Sequence, residues 1–185
     1  KSGGIDMSRP AGEIVTISRH NPHHDYVKGV KGDPFIVDGP GEYEILGVQF
    51  AAIRAFWPAE EGETPEATTL YVGHAEDMRF AHLGGLGQPP TPQQAQELSE
   101  ADVLIIPIAL PGGLDPEAAA KVARALEPKI VIPVGYKPAS SGHSDELKTF
   151  LEGMGAEPEE PVSRFTVQRR NVGDGRRVVL LESRG

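Results

Sequence analysis

The sequence contains no cysteine, a single tryptophan and only three methionines. Without thiols it can form no disulfide, no thiolate nucleophile and no sulfur metal ligand, so any metal must be held by His, Asp or Glu. This cysteine-free composition fits a cytoplasmic protein. No apolar run approaches the roughly 20 residues needed to span a bilayer, and the opening KSGGIDMSRP lacks the apolar core of a signal peptide. No membrane partner is expected. Positive charge is also in short supply: 18 Lys and Arg face 27 Asp and Glu, for a formal net charge of −9. That balance offers no basic stripe to neutralise phosphates, so no nucleic-acid partner is expected.

What is present reads as one domain over residues 1–185, long enough to bury a core without staples. The first half carries short β-rich runs punctuated by Gly and Pro: EIVTIS, PFIVDG, YEILGVQFAAIRAFW, TTLYVG and MRFAHLG. Pro40 and Gly41 turn the chain, after which Tyr43 and Ile45 alternate with Glu42 and Glu44 as in a half-buried antiparallel strand. PAEEGETPEA, Pro58 to Ala67, reads as a solvated acidic loop.

The second half changes rhythm. Thr91 and Pro92 cap a helical run, TPQQAQELSEA, that leads into the apolar strand VLIIPIA; Asp115 and Pro116 open a second helix before KIVIPVGY. Helix, strand, helix, strand implies neighbouring parallel strands. A third helix, SDELKTFLEGMG, ends on a glycine. SRFTVQRR and RRVVLLE are expected to close the fold as a strand pair around NVGDG. Two sheets with helices outside, an αββα sandwich, accommodate this order.

The chemistry-bearing stretch is SRHNPHHDY, with His20, His23 and His24 after an apolar run. Three imidazoles can hold zinc, and His20, His23 and His24 could form a mononuclear site with Asp25 or with His82 arriving from another strand. Against this, His23 and His24 are adjacent, and on a helix start would point about 100° apart. His82 reads as a strand-end histidine satisfied by backbone, and His74 and His143 as solvated turn residues. GGLG reads as a strand-to-loop turn rather than a phosphate cradle, since it lacks a lysine and the full glycine spacing. GYKPASSGHSDE places Ser, His and Asp side by side in one polar loop, which is not triad geometry. The five arginines of RFTVQRRNVGDGRR read as the solvent face of a hairpin.

Four segments in order, VTISRHNPHHDYVKGV, GPGEYEILGV, AHLGGLG and IPVGYKP, resemble the metallo-β-lactamase fold superfamily, in particular its compact branch of Zn-dependent hydrolases related to ascorbate-phosphate lactonases. The resemblance covers roughly Ile5 to Glu182. It implies a four-layer αββα sandwich preceded by a strand hairpin that this chain lacks, so that the domain is N-terminally incomplete relative to the family. Further residues upstream, or another chain covering the sheet edge, are therefore expected.

The family's His-x-His-x-Asp-His motif holds two zinc ions and activates a water. Aligned on VTIS, this chain has Arg19 and Asn21 in place of the first two histidines, His23 in place of the Asp, and His24 on the last His. Where the family's HLGDLGH carries a bridging Asp, this chain has Gly85, followed by Gln88. Where the family's IPMHYK carries another His, it has Gly135. The resemblance thus implies a hydrolase homologue without its dinuclear metal site and without catalytic residues or cofactor, retained for binding, regulation or assembly. Arg19, Asn21 and His24 would line the cleft, with Arg19 suited to a small anionic ligand. A homo-oligomer or a paralogous partner chain is the expected assembly. The alternative is a working zinc-dependent hydrolase that uses His20, His23 and His24 on a phosphorylated or lactone substrate.

Overall fold

A computed structural model describes residues 10–21, 25–58, 64–137, 143–157, 159–173 and 175–182. Two strands, β1 (Ile14–Thr16) and β2 (Phe35–Val37), pair in parallel as a small sheet. The other seven are β3 (Gly41–Ile45), β4 (Val48–Trp57), β5 (Glu66–Ala75), β6 (Met78–His82), β7 (Val103–Pro107), β8 (Ile130–Val134) and β9 (Arg177–Val178), and they form one sheet in that order. Pairing is antiparallel from β3 to β6 and parallel from β6 to β9. The change falls where helices begin to alternate with strands, because a parallel neighbour needs a crossover.

Those crossovers are α1 (Pro92–Leu98), α2 (Pro116–Ala125) and α3 (Asp145–Met154). Each starts on a side-chain oxygen that accepts an orphan backbone N–H. Thr91 accepts from Gln94 in a reciprocal capping box, Asp115 from Ala118, and Ser144 from Leu147. Gly155 closes α3 at φ 63°, a left-handed cap that glycine adopts without cost. The helices cover one face of the large sheet, burying Leu70, Leu104, Ile106 and Val131 against Leu98, Ala119, Ala123, Leu147 and Phe150. On the opposite face, Val37 of β2 packs with Phe50, Ala52 and Tyr71 of the large sheet. This is the expected sandwich plan, although among the described residues the β1–β2 connection holds only one 3-10 turn, Val27–Gly29.

Tyr71 ties the two sheets together. Its hydroxyl lies 2.7 Å from the Ile17 carbonyl and 3.1 Å from that of Val37, and acts as donor to them. Burial pushes its pKa up to about 12, so the proton stays in place. Val37 O already accepts from the Ile17 N–H, whereas the phenol is a main partner of Ile17 O. Tyr71→Phe is therefore expected to cost about 1–2 kcal/mol, the loss of one buried hydrogen bond. It should lower the urea midpoint while leaving the slope of the transition unchanged.

Three expectations need correction. The run from Tyr43 to Trp57 is a hairpin rather than one strand, because Leu46 and Gly47 both take positive φ (54° and 80°), as a type I′ turn demands. SRFTVQRR and RRVVLLE do not pair as a hairpin. Among the described residues, Arg169–Asn171 is a 3-10 turn, β9 runs parallel to β8, and Val162 meets Leu181 in an isolated parallel bridge. Phe165 and Val167 pack instead on the sheet cluster of Val103, Ile130 and Ile132, so burial rather than cross-strand pairing directs that segment. His74 lies in β5, not in a turn, with Nε2 3.3 Å from an Arg79 guanidinium nitrogen. His143 is hydrogen-bonded through Nε2 to the Glu159 carbonyl.

Candidate functional site

The candidate site is the edge of the large sheet where β4 ends, β5 begins, and β6, β7 and β8 finish. The loops Leu83–Gln88, Ile108–Gly113 and Gly135–Lys137 leave the sheet at this edge, as does the chain after β1. Two hydrogen bonds fix the approach of that last segment: Ser18 O accepts from the Thr69 N–H (2.9 Å) and from the Thr68 hydroxyl (3.2 Å). Gly84 makes the approach possible. A Cβ there would lie 2.5 Å from Thr69 O and 2.6 Å from Ser18 Cβ, and the residue sits at φ 49°.

Held this way, Arg19 points across the sheet end. Its guanidinium carbon lies 4.2 Å from the centroid of the Trp57 ring, a cation–π contact. One terminal nitrogen is ion-paired with Glu66, which faces Trp57 on the last rung of the β4–β5 pair. The Arg19 side chain is 11% exposed and that of Glu66 is 66% exposed. Arg19 Nε is buried and has no hydrogen-bond partner among the described residues.

Trp57 in turn lies against glycines of two loops. Cβ atoms added at Gly85, Gly87, Gly112 and Gly113 would come within 3.6, 3.3, 3.5 and 3.0 Å of its ring. At Gly85 and Gly112 such a Cβ would make ordinary van der Waals contact with the ring, whereas at Gly113 it would crowd the indole and at Gly87 it would lie 2.2 Å from Pro58 Cδ, so Gly87 and Gly113 read as packing glycines. Leu110 extends the cluster: a Cβ at Gly113 would lie 3.3 Å from Leu110 Cβ, and one at Gly135 would lie 2.8 Å from Leu110 Cδ2.

Of the residues singled out by sequence, the structure gathers Arg19, Gly85 and Gly135 into this one cluster, with a Gly85 Cβ position 3.0 Å from Arg19 Cδ. Asn21 follows, its N–H donating to the Arg19 carbonyl. His20 is exposed and faces the other way, with Nε2 3.8 Å from an Asp38 carboxylate oxygen. His23 and His24 lie outside the described residues. Gln88 is exposed. His82 ends β6 with Nδ1 accepting the Gly84 N–H at 2.9 Å, as a strand-end histidine satisfied by backbone, and burial lowers its pKa. Among the described residues no three His, Asp or Glu side chains are placed to share a metal ion.

Sequence reasoning missed Trp57, Glu66 and Leu110. The only tryptophan, placed between a strand and an acidic loop, was the available signal for the first. Nothing local marked the other two, because their roles arise from chain segments far apart in sequence.

A second charged cluster lies at the opposite end of the parallel strands. Asp102 precedes β7 with its side chain 7% exposed; one oxygen accepts from Arg169 (2.6 Å) and lies 3.4 Å from Lys129 Nζ. The other accepts the Arg79 backbone N–H at 3.0 Å. Burial alone would raise the carboxyl's pKa, but the Arg79 N–H and then the charges of Arg169 and Lys129 outweigh it and hold the value below the usual range. This cluster joins β6, β7, β8 and the C-terminal segment, and reads as structural.

Fold and site define a mixed α/β sandwich with the Arg19–Trp57–Leu110 cluster at the carboxyl ends of its parallel strands. Residues 2–135 match the Beta-lactamase superfamily domain, and the chain belongs to the metallo-β-lactamase superfamily. Among curated proteins it is similar to a UPF0173 metal-dependent hydrolase of Methanopyrus kandleri, 28% identical over 126 residues, which is 64% of this chain and 55% of that protein. A UPF0173 metal-dependent hydrolase of Anoxybacillus flavithermus is 27% identical over 134 residues, or 69% of this chain and 60% of its own length. The chain thus spans little more than half the length of the curated relatives it matches. Among solved structures, a protein proposed to be a Zn-dependent hydrolase of the superfamily, from Thermotoga maritima, superposes with a TM-score of 0.72 at 28% identity, covering 94% of this chain and 83% of the other. A Parabacteroides distasonis structure shares the fold at a TM-score of 0.62 and 15% identity, covering 95% of this chain and 79% of the other.

Proposed function

We propose that this chain is a non-catalytic member of the metallo-β-lactamase superfamily, acting in binding, regulation or assembly rather than hydrolysis. The observation that carries this reading is the Arg19–Trp57–Leu110 cluster at the sheet end. A guanidinium has no lone pair to give a metal and repels a dication, most strongly where water is largely excluded. Glycine at positions 85 and 135 supplies no donor atom. The described residues therefore do not fit a dinuclear zinc centre, which needs about four N, O or S donors per ion. In this reading the protein works in the cytoplasm, with copies of itself or with a paralogous chain.

The naming of its relatives as metal-dependent hydrolases favours the second reading, an active enzyme with zinc on His20, His23 and His24. One measurement separates them. Protein incubated with zinc at neutral pH and then dialysed is expected to retain no stoichiometric zinc by elemental analysis. Zinc retained at one or more ions per chain overturns the non-catalytic reading.

A further inference from the structure

We propose that Arg19 and Trp57 form a binding place for a small oxyanion, the carboxylate or phosphate group of a ligand, and that Glu66 is an internal, exchangeable occupant of it. The assignment rests on the non-catalytic reading, since a metal ion and a free guanidinium could not share the position.

The reasoning begins with the imbalance inside the ion pair. Arg19 is almost wholly withdrawn from water, whereas its counter-ion is carried by a side chain that remains two-thirds exposed. A desolvated cation needs a nearby negative charge, because an unpaired charge out of water is strongly unfavourable. An exposed carboxylate, by contrast, loses little when it swings away, since water solvates it at once. The cation is thus a fixed requirement and Glu66 only one way of meeting it.

The guanidinium is also incompletely used. Arginine presents paired N–H groups in a plane that matches two oxygens of one carboxylate or phosphate. Glu66 takes a terminal nitrogen, while Nε has no partner among the described residues. A ligand oxyanion seated in the plane of the Nε and terminal N–H groups would satisfy both.

The surroundings favour retention of that geometry. Trp57 backs the guanidinium plane, which fixes its orientation and lowers the local dielectric, so a charge-assisted hydrogen bond there is stronger than at an open surface. Ser18, clamped to Thr68 and Thr69, positions the residue from behind. Nothing in this arrangement needs a metal.

Trp57 is the chain's only tryptophan, so its fluorescence reports on the place directly. Metal-free protein is titrated with inorganic phosphate and, separately, with acetate, at ionic strength held constant with sodium chloride. The expected result is a saturable change in Trp57 emission with at least one of them. The half-saturating concentration should fall about fivefold in Glu66→Gln, the competition from an exposed ion pair being that small, and the response should vanish in Arg19→Met. Phosphate and acetate arms distinguish the two sources of the oxyanion. The proposal is overturned if wild type and Glu66→Gln both give only the change that chloride gives, or if the response survives in Arg19→Met. Glu66 is exposed, so the Glu66→Gln titration stands even where Arg19→Met does not fold. Zinc retention in the dialysis experiment would overturn the non-catalytic reading itself, whereas a missing anion response in zinc-free protein would overturn only this assignment.

Discussion

Asp102→Ala is expected to lower stability by about 3 kcal/mol, enough to move the urea midpoint far outside the scatter of surface substitutions. The carboxylate is 7% exposed and serves three partners from three parts of the chain: the Arg79 backbone N–H, Lys129 and Arg169. Its removal leaves the Arg79 amide without its acceptor and places two cations beside an apolar methyl. Because Lys129 and Arg169 are 41% and 57% exposed, they recover part of their hydration, which keeps the loss below that of a wholly buried pair. The folded-state pKa of Asp102 lies below its unfolded value. Its contribution is therefore fully present above the ordinary carboxylate range, near pH 4 or so, and is lost as pH falls through the folded value. Asp102→Asn, which keeps an acceptor but not the charge, should fall between wild type and Asp102→Ala at neutral pH and draw level with wild type at the acid end. Equal pH profiles for wild type and Asp102→Asn would show that the charge of Asp102 contributes nothing.

The second large effect concerns the positions that the resemblance aligns with the family's metal ligands. Arg19→His, Asn21→His, Gly85→Asp and Gly135→His, combined in one variant, are expected to be destabilising and to retain zinc only below stoichiometry after dialysis. Position 85 itself is not the obstacle, since its nearest neighbour, Arg19 Cδ, disappears with the first of these substitutions. Position 135 is. It sits at φ 69° with Leu110 Cδ2 2.8 Å from its Cβ direction, so a histidine there meets both left-handed backbone strain of about 1–2 kcal/mol and a packing overlap of about 1–3 kcal/mol. Adding Leu110→Ala removes the overlap and is expected to raise both stability and zinc retention over the fourfold variant. Stoichiometric zinc in the fourfold variant, without Leu110→Ala, would show that missing donors alone separate this chain from a metal-binding one.

Much of this architecture is legible in the sequence because it depends on neighbours along the chain. Thr91, Asp115 and Ser144 announce helix starts through their side-chain oxygens, and VLIIP and IVIPV announce buried parallel strands through unbroken apolar runs. The strand-end role of His82 follows from the glycine two residues later. The hairpin at Leu46–Gly47 was less visible, since leucine seldom occupies a positive φ, and there the β3–β4 pairing, with Ile45 opposite Val48, imposes the turn. The C-terminal segment escaped because Phe165 and Val167 alternate as a strand would, yet find their apolar partners on the sheet face.

The sequence alone determined the order of elements and the absence of thiols, which are properties of periodicity and composition; that Arg19, Asn21, Gly85 and Gly135 stand at the family's ligand positions is what the resemblance implies. Only the tertiary structure decided what surrounds those positions, bringing Trp57 and Glu66 against Arg19 and setting Leu110 beside Gly135. Contacts between segments so far apart depend on how the strands register across the sheet, and no local pattern encodes that register.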